Sequence, residues 1–216
     1  MTWVKICGIT NLEDAKKAAA LGVDALGFIF APSKRRVEPE KVKEIIACLP
    51  EKTEKIGVFI DRRLEEVKQI AGFCGLSGLQ FHGSESPDYC KNFSKYKIIK
   101  AFRVEAHRGW DEILPYIRDN AVDRILLDTY VEGVPGGTGK TFPWELVNIH
   151  NNWGGVPLII AGGINVSNVE RLIKEVNPFG IDVGSGVERE PGKKDEEKLK
   201  ELMEKVLTIQ ETKKCS

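Results

Sequence analysis

Several side chains in this sequence could do chemistry, and each follows closely on a short apolar run. Cys7 ends the stretch Val4-Lys5-Ile6-Cys7, and Lys5, two residues earlier, falls on the same side of an extended strand. A free cysteine is among the most buried residue types and commonly packs as a small hydrophobe. Beside an ammonium its thiolate is favoured, and a thiolate can serve as nucleophile or as general base. Asp128 ends Ile125-Leu126-Leu127. A carboxyl emerging from a buried strand can be raised in pKa and act as a general acid, whereas a purely structural aspartate there would cap a loop. Arg35 lies in Ser33-Lys34-Arg35-Arg36, which reads either as a solvated charge run or as a guanidinium able to bind a planar carboxylate through two parallel hydrogen bonds. Gln80 and His82 close another apolar run, and Lys5, Gln80, His82 and Asp182 are candidates for the same mouth. His107 and His150 fit structural or surface positions.

Glycines form a second constellation. Pro135-Gly136-Gly137-Thr138-Gly139-Lys140, Gly162-Gly163 and Gly184-Ser185-Gly186 each follow a strand-like run. One Gly-Gly pair marks a tight turn. Three such loops, with backbone N–H groups free to approach an anion, point to a phosphate monoester held by Gly137, Gly139, Gly162, Gly163, Gly184 and Ser185. The phosphate narrows the ligand and leaves the reaction open.

Composition excludes several other functions. The 216 residues are 42% apolar and 30% charged, and 32 basic residues balance 32 acidic ones, so no global charge draws nucleic acid or an anionic membrane. The longest apolar runs, Ala25 to Ala31 and Val156 to Ala161, are far shorter than the roughly 18 residues of a spanning helix. No signal-type segment opens the sequence, and the expected compartment is the cytoplasm. The five cysteines are scattered, with no Cys-x-x-Cys or paired-histidine spacing, so neither a disulfide framework nor a metal site is expected.

The elements that must position these residues alternate along the whole chain. Strand-like runs lie at Val4 to Cys7, Ala25 to Phe30, Lys55 to Ile60, Gly78 to Phe81, Ile98 to Phe102, Arg124 to Asp128, Pro157 to Ala161 and Gly180 to Val183. Between them apolar residues recur at helical spacing, as in Val42, Ile45, Ile46 and Leu49, in Val166, Val169, Leu172, Ile173 and Val176, and in Leu199, Leu202, Met203, Val206 and Leu207. Thr10 and Glu13 suggest a capping box, with Gly22 as the stop of that helix. Eight units of about 27 residues predict an α/β protein with a single (β/α)8 barrel over residues 1–207 and a frayed tail over 208–216. An open doubly wound sheet is the alternative, but no Gly-x-Gly-x-x-Gly follows the first strand. In a barrel the named side chains all gather at the C-terminal mouth, where barrel active sites are built.

Lys5-Ile6-Cys7-Gly8-Ile9-Thr10 resembles the opening signature of the phosphoribosylanthranilate isomerase family of tryptophan biosynthesis. The later motifs follow in the family's order: Gly27-Phe28-Ile29-Phe30 with Ser33-Lys34-Arg35, Gln80-Phe81-His82-Gly83, Leu127-Asp128-Thr129, Gly136-Gly137-Thr138-Gly139, Phe142-Pro143-Trp144, Ala161-Gly162-Gly163 and Asp182-Val183-Gly184-Ser185-Gly186-Val187-Glu188. The opening hexapeptide is specific, whereas Gly-Gly pairs are shared by many phosphate-binding barrels.

This resemblance implies an Amadori rearrangement of an aminoaldose phosphate to an aminoketose phosphate, without cofactor or metal, on a small phosphorylated substrate. It implies Asp128 as general acid, Cys7 as general base, Arg35 on the anthranilate carboxylate and the loops at Gly162 and Gly184 on the phosphate. Two positions depart from the family pattern: Gly184 stands where serine is commoner, and Phe81 where leucine is. Other readings are the analogous isomerase of histidine biosynthesis, against which Cys7 argues because that enzyme uses two aspartates, a bifunctional isomerase, and a non-catalytic phosphate-binding barrel. The assembly expected is a monomer or a homodimer.

Overall fold

The computed structural model describes residues 1–104, 111–129 and 154–214. Its apolar runs form eight parallel strands: β1 (Trp3–Cys7), β2 (Ala25–Ile29), β3 (Glu54–Phe59), β4 (Gly78–Phe81), β5 (Lys97–Val104), β6 (Arg124–Thr129), β7 (Leu158–Ala161) and β8 (Gly180–Val183). They close into a barrel in chain order. Since β1 pairs with β2 on one side and with β8 on the other, the sheet has no edge, which rules out the open doubly wound alternative.

Helices α1 (Leu12–Ala20), α2 (Pro39–Ile46), α3 (Leu64–Cys74), α4 (Pro87–Lys91), α5 (Leu114–Arg118), α6 (Val169–Val176) and α7 (Glu196–Lys214) lie between or after the strands. The three helices whose apolar spacing is legible in the sequence bury most of that face: Val42 and Ile45 of α2, Val169, Leu172 and Ile173 of α6, and Leu199, Leu202, Met203 and Val206 of α7 are all within the core. The core has two parts, one between helices and the outer barrel wall and one inside the barrel, where Trp3, Ala25, Ile56, Ile99, Ala101, Leu126, Ile159 and Ala161 meet. A short hairpin, β9 (Glu188–Glu190) with β10 (Lys193–Lys194), folds over the mouth side after β8. Among the described residues no helix is long and apolar enough to cross a membrane.

Two local expectations are corrected. The cap of α1 is Asn11, whose side chain accepts from the Asp14 N–H at 2.9 Å. The Thr10 hydroxyl instead donates to the Gly192 carbonyl, a contact 182 residues away in sequence that local spacing does not reveal. The tail expected to fray from residue 208 continues α7 to Lys214. Ile209 is buried, and the Gln210 amide donates to the Thr2 carbonyl at 3.1 Å, so the last turns dock against the foot of β1. The helix turns Leu207 outward, and Ile209 takes the core position.

Candidate active site

Strand alternation decides which side chains face the barrel interior. Trp3 and Leu126 belong to the interior cluster, so a period of two puts Lys5 and Cys7 of β1 and Asp128 of β6 on the same inward side, nearer the mouth. Register extends this set across the wall: Gln80 pairs with Ile99 of the interior cluster, and Asp182 pairs with Lys5. Sequence reasoning placed these residues at one mouth, and the barrel brings them to its C-terminal end.

Lys5 is fully buried, and its Nζ donates to Asp182 Oδ2 at 2.6 Å. Burial alone would discharge the ammonium, but the Asp182 carboxylate, with Cys7 adding to it, holds its pKa above the ordinary lysine value. Lys5 also pulls the Cys7 thiol toward ionisation, as its two-residue spacing suggests. The larger effect is burial, which, reinforced by the negative charge of Asp182, pushes the thiol above its ordinary value. The ammonium is thus shared, and burial favours thiol over thiolate. Room for both side chains comes from Gly27, paired with Cys7 in register. A Cβ there would lie 2.8 Å from the Cys7 sulfur and 3.1 Å from Lys5 Cε. Gly27 is a site residue whose role is visible only once β1 and β2 are side by side.

Asp128 is paired in register with Arg103 of β5 and Ala161 of β7. Its Oδ2 lies 3.3 Å from His82 Nε2, and both side chains are partly exposed. This contact lacks hydrogen-bond geometry, and among the described residues Nε2 has no hydrogen-bond partner. His82 therefore faces the acid candidate, a more specific place than its position after β4 indicated. Among the described residues, Gln80 and Asp182 each keep a buried side-chain oxygen, Oε1 and Oδ1, without a hydrogen-bond partner, as is common where a ligand completes a site.

Arg35 reaches the mouth from the loop after β2. Its aliphatic chain crosses Gly8, where a Cβ would come within 2.6 Å of Arg35 Cδ. The guanidinium donates to Glu188 through Nε at 2.8 Å and Nη2 at 2.7 Å. Arg36 instead points to Glu38 at 3.2 Å on the surface. Glu188 also accepts from Lys194 Nζ at 2.9 Å. Burial works against its charge, yet the Arg35 hydrogen bonds and the Lys194 ammonium hold the carboxyl below the ordinary range. Lys194 was not singled out from the sequence, and Glu188 only as the last residue of a motif. The one signal available was an acidic residue ending a glycine-rich turn.

Among the phosphate candidates, Gly137 and Gly139 lie outside the described residues. Gly162 and Gly163 follow β7 with φ of 83° and 66°, conformations that strain any side chain. The Gly163 carbonyl accepts from the Asn165 and Asn168 amides at 3.0 and 2.9 Å, which fixes the peptide plane entering the next segment. Gly184 and Ser185 follow β8, where Ser185 opens a single 3-10 turn, Ser185–Val187. The two loops leave neighbouring strands of the barrel, since β7 pairs with β8.

Comparison with known proteins agrees with this fold. The family model described as N-(5'-phosphoribosyl)anthranilate (PRA) isomerase matches residues 4–205. The N-(5'-phosphoribosyl)anthranilate isomerase of Desulforudis audaxviator is 46% identical over 203 residues, covering 94% of this chain and 97% of the relative. The crystal structure of phosphoribosyl anthranilate isomerase from Thermotoga maritima superposes with a TM-score of 0.89 at 38% identity, covering 96% of this chain and all of that one. A phosphoribosyl anthranilate isomerase solved with reduced 1-(o-carboxyphenylamino)-1-deoxyribulose 5-phosphate gives a TM-score of 0.85 at 36% identity over 96% of this chain and 100% of the other. With its closed barrel and nearly its full length matched, this chain belongs to the N-(5'-phosphoribosyl)anthranilate isomerase family.

Proposed function

We propose that the chain isomerises N-(5'-phosphoribosyl)anthranilate to 1-(2-carboxyphenylamino)-1-deoxyribulose 5-phosphate, with Asp128 as general acid and Cys7 as general base. The observation that carries these roles is the shared inward phase of Cys7 and Asp128 at the mouth ends of β1 and β6. The carboxyl of Asp128 donates its proton to the furanose ring oxygen. The ring then opens, and the nitrogen lone pair forms an iminium at C1. That positive charge acidifies the C2 proton, which the Cys7 thiolate removes to give an enolamine. Return of a proton to C1 and loss of the enol proton yield the ketose, so the reaction is a balanced internal redox exchange between C1 and C2.

An acid and a base acting at opposite ends of one rearrangement need fixed places more than they need strength. Lys5, locked to Asp182, supplies a cation near the sulfur when it ionises. Arg35 takes the anthranilate carboxylate, and the loops at Gly162, Gly163, Gly184 and Ser185, with Gly137 and Gly139 from the sequence that follows β6, take the phosphate. Gln80 and His82 line the ligand between these ends.

The test is turnover of freshly prepared phosphoribosylanthranilate, followed by the loss of anthranilate-type fluorescence, with no metal added. The expected result is isomerisation by the unmodified chain and its near-abolition in Cys7→Ser and Asp128→Asn. Full activity in either variant sinks that residue's role, and absence of turnover in the unmodified chain sinks the function.

A further inference from the structure

We propose that Glu188, anchored by Lys194, is a positioning residue that aims Arg35 at the substrate's carboxylate and so sets the selectivity for a carboxylated arylamine. This rests on the isomerase reading above and adds to it the device that makes Arg35 selective.

A guanidinium can meet a carboxylate along its side edge, Nε with one Nη, or along its end, with both Nη atoms. Glu188 takes the side edge: Nε donates to Oε1 at 2.8 Å and to Oε2 at 3.0 Å, and Nη2 donates to Oε2 at 2.7 Å. Among the described residues Nη1 has no hydrogen-bond partner, so the end edge is left for a second carboxylate. A side-on clamp of this kind fixes the plane of the guanidinium as well as its place. The Arg35 side chain is about one quarter exposed, while that of Glu188 is almost fully buried. The cation therefore faces the mouth and the anion stands behind it.

Lys194 explains how a carboxylate can be kept charged there. Its side chain is 1% exposed, and each of its three ammonium protons has an acceptor: Glu188 Oε1 at 2.9 Å, the Cys7 carbonyl at 2.6 Å and the Gly184 carbonyl at 3.1 Å. Its backbone N–H donates to the buried Asp14 carboxylate at 2.8 Å, which fixes the hairpin strand β10 that carries it. One ammonium thus ties the mouth ends of β1 and β8 to the carboxylate behind Arg35. Two cations and one anion leave the trio with a single positive charge, which a bound carboxylate neutralises.

The test measures binding of two stable ligands, reduced 1-(o-carboxyphenylamino)-1-deoxyribulose 5-phosphate and its phenylamino counterpart lacking the carboxylate. In Glu188→Gln the amide offers one acceptor oxygen and no charge, so the guanidinium is no longer clamped. The carboxylated ligand should bind about tenfold or more weakly, with little change for its counterpart. Arg35→Met should show the same selective loss, and the double variant should lose no more than Arg35→Met alone. Glu188→Asp keeps the charge, burdens folding less and shortens the reach, so the selective loss should persist in it. Equal loss for both ligands, or none, in a folded Glu188 variant overturns the proposal. Failure of the unmodified chain to bind either ligand or to turn over phosphoribosylanthranilate overturns the functional reading instead.

Discussion

Two Arg–Glu pairs hold opposite ends of the barrel, and they use the guanidinium differently. At the foot Arg124 meets Glu54 end-on, Nη1 to Oε2 at 2.7 Å and Nη2 to Oε1 at 2.8 Å. Its face is covered by Trp3, with Cζ 4.5 Å from the ring centroid, and approached by Phe179 at 5.3 Å. That end fork is filled and that face is stacked, so the pair ties the first residue of β3 to the first residue of β6 across the foot. At the mouth Glu188 takes Arg35 from the side, and the end fork remains open. The same two residue types thus close one end of the barrel and leave the other able to bind. The difference follows from which edge is consumed, and it predicts that changes at the mouth alter kinetics while changes at the foot alter stability.

The largest effect tests that division at its centre. Cys7→Ser and Asp128→Asn should each lower kcat by orders of magnitude, while the melting temperature and affinity for a product analogue stay close to those of the unmodified chain. Serine keeps the shape of cysteine but ionises far less readily, and asparagine keeps the shape of aspartate but has no acid proton to give. Loss of activity only in step with a falling melting temperature would make either residue structural and erase the contrast between the two ends.

Next in size are the two arginines themselves. Arg35→Lys should raise KM for the anthranilate substrate roughly tenfold or more, because a point charge cannot reproduce the fork. Lys34→Arg, on the exposed turn beside it, should change KM little. Arg124→Lys should leave KM unchanged and lower the melting temperature by about 2 to 4 °C, the scale of a 1 kcal/mol loss for a domain of this size. Steady-state kinetics and thermal melts on the three variants decide it. A KM effect confined to Arg124→Lys, or to a change at Arg36, would place the open fork elsewhere.

How far the mouth can be read from sequence depends on how local its contacts are. The strands are legible because parallel strands covered on both sides must be short apolar runs, and Cys7 and Asp128 are legible because each ends one. Arg35 is legible as a guanidinium at the mouth, but its partner is not. Glu188 lies 153 residues away, and the lysine that holds it contacts the Cys7 carbonyl across 187 residues. The same reason explains the smaller errors. Thr10 is diverted from capping by Gly192, and the residues after Leu207 are ordered by Thr2 at the far end of the chain. Gly27 carries no chemistry of its own, and only the thiol packed against it shows why it lacks a side chain.

The pH dependence sharpens the contrast within the mouth. Burial, aided by Asp182, holds the Cys7 thiol above its ordinary pKa, so the base is largely protonated at neutral pH and kcat/KM should climb with pH through the ordinary thiol range. Lys5→Met removes the cation that favours thiolate, and the rising limb should move to higher pH. Asp182→Asn removes an anion that opposes thiolate and releases Lys5 from its pair, so the limb should move lower. Shifts in one direction for both variants, at matched folded fractions, would mean that the limb does not report Cys7.

The smallest effect concerns the phosphate loop after β8, where this chain has glycine and the family pattern more often has serine. Gly184 has φ of −108°, outside the left-handed region that favours glycine. Among the described residues a Cβ added there would meet nothing nearer than the Cys7 carbonyl at 3.9 Å, an ordinary van der Waals distance. Gly184→Ser should therefore fold as well as the unmodified chain, and it adds one hydroxyl donor at the edge of the proposed phosphate site. A hydrogen bond to a charged oxygen is worth about 1.5 to 3 kcal/mol at best, and less where backbone N–H groups already solvate the anion. The expected gain is a few-fold fall in the dissociation constant for the phosphorylated product analogue, with kcat nearly unchanged because the phosphate is remote from the bonds that change. The analogue without phosphate should bind equally well to both chains. A gain that persists with that analogue, or a loss with either, would show that the new hydroxyl contacts something other than phosphate and would move the anion site away from this turn.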